Sequence, residues 1–194
     1  MEVLLSLDQS LFKLVNQVWI AAWADAFFPW VTDLYKTLTF QIIFYPLLLL
    51  VFVSTFKKVG ALVFLLCIVC LGCNDFLGNV LLKKTVERPR PFENLELNTI
   101  QRSPARGFSF ISNHAANSFA FATFVSILIP QVAIPTFLIA TVVAYSRVYN
   151  GVHYPTDVFG GALFGIFVAF SFATLTKKIL AKIEKQKNIS SQRV

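Results

Sequence analysis

Residues 38–56 read LTFQIIFYPLLLLVFVSTF, a run without a charged side chain that ends at Lys57 and Lys58. As a helix rising about 1.5 Å per residue, this run would reach roughly 28 Å, close to the ~30 Å hydrocarbon core of a bilayer. A helix satisfies its own backbone hydrogen bonds, as any segment that crosses lipid must. The run therefore predicts a membrane-spanning helix and indicates a membrane protein.

The rest of the chain has the same character. Of its 194 residues, 56% are hydrophobic and 14% are charged, whereas soluble domains carry about 25% charged residues. Four further apolar segments extend over residues 59–82, 113–130, 132–149 and 155–176. We therefore expect an all-α, polytopic membrane helix bundle with five transmembrane helices. It would form a single domain over residues 1–194, with a basic tail at 177–194.

The N-terminal segment over residues 9–34 is amphiphilic and contains all three tryptophans of the chain. Tryptophan favours the membrane–water interface. The segment is therefore either an interfacial helix followed by a short span or one irregular span, and we favour a sixth helix. Glu2 and Asp8 stand where a signal peptide has its basic start, so we expect no cleaved signal peptide.

Two features of the composition invite other classes of protein. The net charge of +7 does not indicate nucleic-acid binding, because the basic residues lie at the ends of apolar segments, where membrane topology places them. Cys67, Cys70 and Cys73 share one helix face but have no fourth metal ligand nearby in the sequence. Packing against a neighbouring helix is the stronger interpretation of the three cysteines, and a zinc site is the weaker one.

One polar stripe interrupts the second apolar segment. Asp75, Asn79 and Lys83 recur every four residues and so lie on one helix face. Polar groups are costly in lipid, so this face should point to the interior of the bundle. We expect Asp75 and Asn79 to be structural polar packing rather than direct contacts of a substrate.

Counting spans places the 84–111 connection and residues 146–157 on the same side of the membrane. The lysine-rich tail lies on the opposite side, which the positive-inside rule makes cytoplasmic. The translocated side is nevertheless basic, through Lys83, Lys84, Arg88, Arg90, Arg102, Arg106 and Arg147. Binding an anionic substrate would explain part of this charge. We interpret Arg88, Arg102 and Arg106 as headgroup or solvent contacts, and Lys84 as a side chain that reaches the interface.

Three short patterns fall on this side, and they include both histidines of the chain. They are Lys83 with Arg90-Pro91, then Ser112-Asn113-His114, then Ser146-Arg147 with His153 and Asp157. Together, over residues 83–157, they resemble the signature of the type 2 phosphatidic acid phosphatase superfamily, the membrane lipid phosphate phosphatases related to vanadium haloperoxidases. Ile111 and Asn113 stand where that family has proline and glycine.

The resemblance implies a site and a mechanism. His153 would attack phosphorus and form a phosphohistidine, with Asp157 holding its tautomer. His114 would protonate the leaving oxygen and then activate water. The residues expected to bind the phosphate are Lys83, Arg90, Ser112, Asn113 and Arg147, with the arginines able to bond in bidentate fashion. No metal and no other cofactor is implied, since cations and N–H groups supply the electrostatic stabilisation.

The implied substrate is a phosphate monoester or diphosphate on a membrane lipid: undecaprenyl diphosphate, phosphatidylglycerophosphate, phosphatidic acid or lipid A phosphate. The expected location is the bacterial inner membrane, with the site facing the periplasm; neither nucleic acid nor an obligate protein partner is implied. The alternative is a non-catalytic lipid-phosphate carrier or transporter with the same cationic pocket. His114 and His153 favour the enzyme, because binding alone would not need both.

Overall fold

The computed structural model describes residues 2–191, and every regular element in that range is helical. The α-helices are α1 (Glu2–Lys13), α2 (Ala22–Asp33), α3 (Leu38–Phe56), α4 (Gly60–Leu77), α5 (Lys84–Val86), α6 (Asn113–Leu128), α7 (Ala133–Tyr149) and α8 (Pro155–Ser191). π-Helical turns at Leu14–Val18 and Gly78–Lys83 continue α1 and α4. The predicted all-α class is confirmed for these residues. Arg193 of the predicted basic tail lies outside the described range.

Three stretches are long and apolar enough to cross a membrane: Leu38–Glu93, Pro130–Tyr149 and Pro155–Ser190. The first contains both α3 and α4, which pack against each other across a reversal at Lys57, where φ is 55°. The predicted span that begins at the second motif, α6, has 16 residues and reaches only about 24 Å. Because of these apolar helices, we identify the chain as an integral membrane protein. The number of five spans stays a prediction.

The N-terminal segment forms two short helices instead of one irregular span. The chain leaves the helical conformation at Ala21, which is extended (φ −150°, ψ 145°), before α2 begins. α2 has 12 residues and reaches about 18 Å, too short to cross a bilayer alone, whereas α1 with its π-helical continuation runs from Glu2 to Val18. All three tryptophans are exposed, as expected for side chains that face lipid or the interface. An interfacial position for these helices stays a prediction.

The closest helix packing joins α6 to the first half of α8. A Cβ atom added to Gly161 would lie 2.6 Å from the carbonyl oxygen of Ser112, and one added to Gly165 would overlap the carbonyl oxygen of Ala116. Only glycine allows backbones to approach this closely. The four-residue spacing of Gly161 and Gly165 in the sequence predicts a face for close helix packing. The structure confirms this face, which fixes the start of α6 beside the start of α8.

An apolar core joins α3, α4, α6 and α8. Cys67 and Cys70 are fully buried in it, together with Phe52 and Phe124. The packing interpretation of the cysteines is confirmed for these two. Among residues 2–191, no group of three His, Cys, Asp or Glu side chains is arranged to hold a metal ion.

α8 continues well beyond the end predicted at residue 176 and runs to Ser191. Residues 177–191 contain neither glycine nor proline, and five of these fifteen residues are lysine, which favours helix. The described part of the basic tail is therefore a helical extension of the last span.

The two polar connections meet at one end of the bundle. The N–H of Arg102 donates to the carbonyl of Asn150 (3.0 Å), and the N–H of Ser112 donates to the carbonyl of Asp157 (3.0 Å). The expectation that the 84–111 connection and residues 146–157 share a side is confirmed, and this end holds the candidate site.

Candidate active site

His153 lies in the turn between α7 and α8, with 2% of its surface exposed. Its Nδ1 is 3.5 Å from Oδ2 of Asp157, in the first turn of α8. This separation exceeds the usual hydrogen-bond length of about 2.7–3.2 Å, and Nδ1 is buried without a hydrogen-bond partner. The structure thus brings the predicted pair together without bonding it. Catalytic hydrogen bonds often tighten only when substrate is bound.

Burial and three cations act on the imidazole of His153. Burial holds its pKa well below the usual value, and the nearby charges of Arg147, Arg90 and Lys83 lower that pKa further, in this order. The ring is therefore neutral at neutral pH, the state in which a ring nitrogen has a lone pair for attack. All three cations of the predicted phosphate site therefore act electrostatically on His153, and Arg90 also contacts its ring, with Nη1 3.3 Å from Nε2.

Arg90 is almost fully buried, and most of its donors hold the backbone. Nη1 donates to the carbonyl of Val152 (2.7 Å) and lies 3.3 Å from Nε2 of His153. Its other nitrogens donate to the carbonyl oxygens of Arg106, Gly107 and Phe108 at 2.7–3.1 Å. The expected bidentate bond from Arg90 to a phosphate does not fit this arrangement, because only Nη1 faces the imidazole. Arg90 shapes the connection around the ring and presents one N–H to it.

Arg147 is buried as deeply as Arg90, but among residues 2–191 its guanidinium donates one side-chain hydrogen bond. Its Nη1 donates to Oγ1 of Thr32 in α2 (2.6 Å), while its Nε is buried and has no hydrogen-bond partner. A buried N–H without a partner is costly. Arg147 is therefore the arginine with a donor left for a phosphate oxygen. Thr32 was not identified from the sequence, because a threonine in an amphiphilic segment carries no pattern.

Ser112 caps α6 and connects it to α8. Its Oγ accepts the N–H of Ala115 (3.5 Å), and its own N–H donates to the carbonyl of Asp157 (3.0 Å). The first amides of a helix, here those of Asn113 and His114, have no carbonyl acceptor within the helix. They form an anion site at the positive end of the helix dipole. The predicted Ser-Asn-His segment thus lies at a helix N-terminus that adjoins Asp157.

Asp75 and Asn79 form polar packing contacts, as expected from the stripe on α4. Asp75 accepts hydrogen bonds from the side-chain amides of Asn79, Asn113 and Asn117 at 2.8–3.0 Å. The side chain of Asn113 therefore lies against α4. Lys83 lies at the end of the same stripe, and its charge contributes to the lowered pKa of His153.

His114 lies in the first turn of α6 and contacts Tyr35. The Tyr35 hydroxyl is 3.4 Å from Nε2 of His114, and the two rings meet edge to face with centroids 5.4 Å apart. His114 also interacts electrostatically with Arg147 and His153. The Tyr35 hydroxyl thus lies beside Nε2 of His114. No sequence pattern singled it out.

Two of the arginines that we interpreted as headgroup or solvent contacts form ion pairs with carboxylates of the same chain. Arg88 donates through Nη1 to Oδ1 of Asp157 (2.7 Å), and Arg102 donates through Nε to Asp25 (2.6 Å). That interpretation is therefore wrong for both. The sequence has two arginines around Pro89, and their spacing does not say which one holds Asp157 and which one faces His153.

Known proteins share both the motif region and the fold. The model of the PAP2 superfamily matches residues 58–180. The lipid A 4'-phosphatase of Bacteroides thetaiotaomicron is 32% identical over 115 residues, which cover 58% of this chain and 51% of that protein. The chain spans about half the length of this curated relative.

Two solved structures are similar over most of the chain. The PAP2-type phosphatidylglycerolphosphate phosphatase from Bacillus subtilis has a TM-score of 0.74 at 25% identity, covering 92% of this chain and 89% of that chain. Aquifex aeolicus LpxE has a TM-score of 0.67 at 30% identity, covering 87% of this chain and 95% of that chain. With the family model matching more than half of its length, around a buried histidine encircled by cations, this chain belongs to the PAP2 superfamily.

Proposed function

We propose that this protein is a membrane phosphatase that removes phosphate from a lipid phosphate monoester or diphosphate. The observation that carries the proposal is the neutral, buried His153 beside Arg147, whose buried Nε has no partner. A phosphate monoester carries about two negative charges, which spread over three equatorial oxygens in the transition state. A cationic pocket beside a neutral nucleophile matches that charge distribution.

The reaction would begin at Nε2 of His153. Its lone pair attacks phosphorus, the new P–N bond forms, and the P–O bond to the lipid breaks as the leaving oxygen takes a proton from His114. Asp157 accepts the Nδ1–H once the 3.5 Å gap closes and stabilises the charge that develops on the ring. Water activated by His114 then attacks the phosphohistidine, releases phosphate and restores His153.

The developing charge on the phosphate would be met by this chain's own groups. Arg147, Lys83 and the first N–H groups of α6 stabilise the equatorial oxygens. One N–H of Arg90 lies close enough to Nε2 of His153 to reach an oxygen on the attacked phosphorus. In this mechanism no metal ion or other cofactor takes part.

Phosphatidylglycerophosphate and lipid A phosphate are substrate candidates, because the printed names of two similar proteins refer to them. Phosphatidic acid and undecaprenyl diphosphate present the same phosphate chemistry and complete the set. In each case the lipid tail would stay in the bilayer, which is the only partner that the mechanism needs.

We place the protein in the bacterial inner membrane, with the site on the periplasmic side. The lysines that follow the last span, Lys177, Lys178, Lys182 and Lys185, are exposed on the α8 extension. The positive-inside rule puts that end in the cytoplasm. Labelling of single cysteines introduced at Lys182 and at Lys84 with a membrane-impermeant reagent in intact cells tests this orientation.

Phosphate release from the four lipid phosphates by purified protein tests the function. We expect His153→Ala to release no phosphate and, unlike the wild type, to trap no phosphoenzyme in reactions with ³²P-labelled substrate quenched in alkaline detergent, which preserves the acid-labile P–N bond. Lys83→Ala should lose most turnover, whereas Lys84→Ala, a neighbouring exposed lysine outside the site, should keep it. Retained turnover by His153→Ala would refute the mechanism.

The same assay separates the enzyme from a lipid-phosphate carrier or transporter. A carrier would bind lipid phosphate through Arg147 and Lys83 but release no inorganic phosphate. Binding of a radiolabelled lipid phosphate to the wild type, with no release from any of the four lipids, would favour the carrier.

A further inference from the structure

The ion pair between Arg88 and Asp157 continues to a third charged side chain, Asp8 of α1. Asp8 is only 3% exposed. Its Oδ2 lies 2.6 Å from Nη2 of Arg88 and accepts the hydroxyl of Thr156 (2.7 Å), while its Oδ1 accepts the N–H of Thr156 (2.9 Å). Asp8 therefore bonds both to the arginine that holds Asp157 and to the backbone of the residue before Asp157.

Both terminal nitrogens of the Arg88 guanidinium donate hydrogen bonds to protein groups. Nη1 donates to Oγ1 of Thr156 and to Oδ1 of Asp157, each at 2.7 Å, and Nη2 donates to Asp8. Its central carbon lies 3.8 Å from the centroid of the Tyr154 ring. A planar guanidinium stacked on an aromatic ring and bonded to two carboxylates has a fixed position. Arg88 thus orients other side chains through both of its terminal nitrogens.

The two oxygens of Asp157 have different partners. Oδ1 accepts from Arg88, whereas Oδ2 accepts the N–H of Tyr154 (2.8 Å) and faces Nδ1 of His153. Rotation of the carboxylate would break the bond to Arg88. The Asp8–Arg88 pair therefore keeps Oδ2 directed at His153.

We propose that Asp8 is a positioning residue for the reaction of His153, acting through Arg88, Thr156 and Asp157. The inference rests on the proposed function, which makes His153 the nucleophile. A buried carboxylate is retained only when its desolvation is compensated, and here three hydrogen bonds to a single network do so. α1, which lies outside the residues 58–180 matched by the family model, thereby becomes part of the active site.

A matched pair of variants tests the proposal in the purified full-length protein, with dioctanoyl phosphatidic acid as probe. Asp8 and Asp25 both lie on N-terminal helices and pair with an arginine of the 84–111 connection, but the pair of Asp25 does not contact Asp157. We expect Asp8→Asn to lower kcat by about 10- to 100-fold with little change in KM, as loss of an orienting outer partner does elsewhere. Asp25→Asn should leave both constants at the wild-type level.

Two further variants separate positioning from simple structural support. Asp8→Glu keeps the carboxylate and should retain more of kcat than Asp8→Asn. Arg88→Lys keeps the charge but loses the planar fork that bridges two carboxylates, so its kcat should fall as in Asp8→Asn. With kcat normalised to folded protein, a purely structural role would change the yield of folded protein and leave kcat unchanged.

A spectroscopic measurement that does not depend on turnover completes the test. Because the chain has two histidines, His114→Gln leaves one imidazole, and its ¹⁵N shifts report the tautomer of His153. We expect the Nδ1–H tautomer with Asp8 in place and a mixture in Asp8→Asn. Wild-type kcat in Asp8→Asn, or a loss of kcat with an unchanged tautomer, would overturn the proposal. If Asp8→Asn shifts the tautomer but the wild-type protein releases no phosphate from any lipid, the positioning role would be supported and the phosphatase function refuted.

Discussion

Nδ2 of Asn113 donates a hydrogen bond of 2.8 Å to Oδ1 of Asp75, which ties the first turn of α6 to the polar face of α4. Gly78 lies beside this contact, and a Cβ atom there would meet Oδ1 of Asn113 at 3.4 Å, an ordinary van der Waals distance. The asparagine that stands at the position of the family's glycine therefore packs against α4. Its backbone N–H remains at the helix N-terminus, where the phosphate is expected.

This contact predicts that Asn113→Gly keeps phosphate release near the wild-type level while it lowers stability. The substitution removes a side chain that faces α4 and retains the backbone N–H. It also removes one of the three amide hydrogen bonds to the half-buried Asp75 carboxylate, and a hydrogen bond to a charged group contributes about 1.5–3 kcal/mol to the unfolding free energy. Turnover and thermal unfolding in detergent measure the two effects. A large loss of turnover in folded Asn113→Gly would show that the amide contacts the substrate.

The close approach of α6 and α8 predicts that methyl groups are not tolerated there. Gly165→Ala should lower unfolding free energy by about 1–3 kcal/mol, because its Cβ would overlap the carbonyl of Ala116. Gly161→Ala should in addition lower kcat, because it displaces Ser112 at the start of α6.

Gly72→Ala is the control for these glycines, since nothing lies within 4 Å of a Cβ atom added there. We expect it to match or slightly exceed wild-type stability, because alanine favours helix over glycine by about 1 kcal/mol. Thermal unfolding of the three variants side by side checks the order. Equal stability of Gly165→Ala and Gly72→Ala would contradict the packing argument.

The contact between Tyr35 and His114 predicts a moderate role for the tyrosine hydroxyl. Tyr35→Phe removes one hydrogen bond to Nε2 of His114, worth about 0.5–1.5 kcal/mol, so kcat/KM should fall by roughly 2- to 12-fold. Tyr45→Phe, at an exposed tyrosine of α3, should have no effect. A loss as large as that of His114→Ala would mean that the hydroxyl itself takes part in proton transfer.

The lowered pKa of His153 predicts that its imidazole stays neutral below pH ~6.5, where an ordinary histidine is protonated. The activity that depends on this neutral ring should therefore persist into the acidic range. Folding stability should show the opposite trend. Below pH ~6.5 the unfolded chain binds a proton at this histidine that the folded protein does not, so acid destabilises the fold.

Arg147→Gln removes the largest charge effect on that ring and should raise the pKa of His153. Arg106→Gln, at an exposed arginine on the same side of the membrane, should leave it unchanged. An NMR titration of the imidazole in a His114→Gln background measures both values. An unchanged pKa in Arg147→Gln would contradict the placement of the guanidinium beside His153.

Several site residues could be predicted because their signals are local. His153 and Asp157 are four residues apart at the start of α8 and belong to the patterns that resemble the family signature. Asp75, Asn79 and Lys83 repeat at helical spacing, which brings these three to one helix face. The different tasks of Arg90 and Arg147 could not be separated in this way. They depend on which arginine the carbonyl groups of residues 106–108 surround, and that is a property of how the connection folds back.

The sequence by itself determined the membrane class, the position of most helices and the glycine face of α8, because apolar run length, charge placement and residue size act within one segment. Only the tertiary structure decided that α1 contributes Asp8 to the first turn of α8 and that Arg88 joins it to Asp157. Asp8 and Thr156 are bonded although 148 positions separate them. Such contacts depend on how helices pack, and no spacing within a segment encodes them.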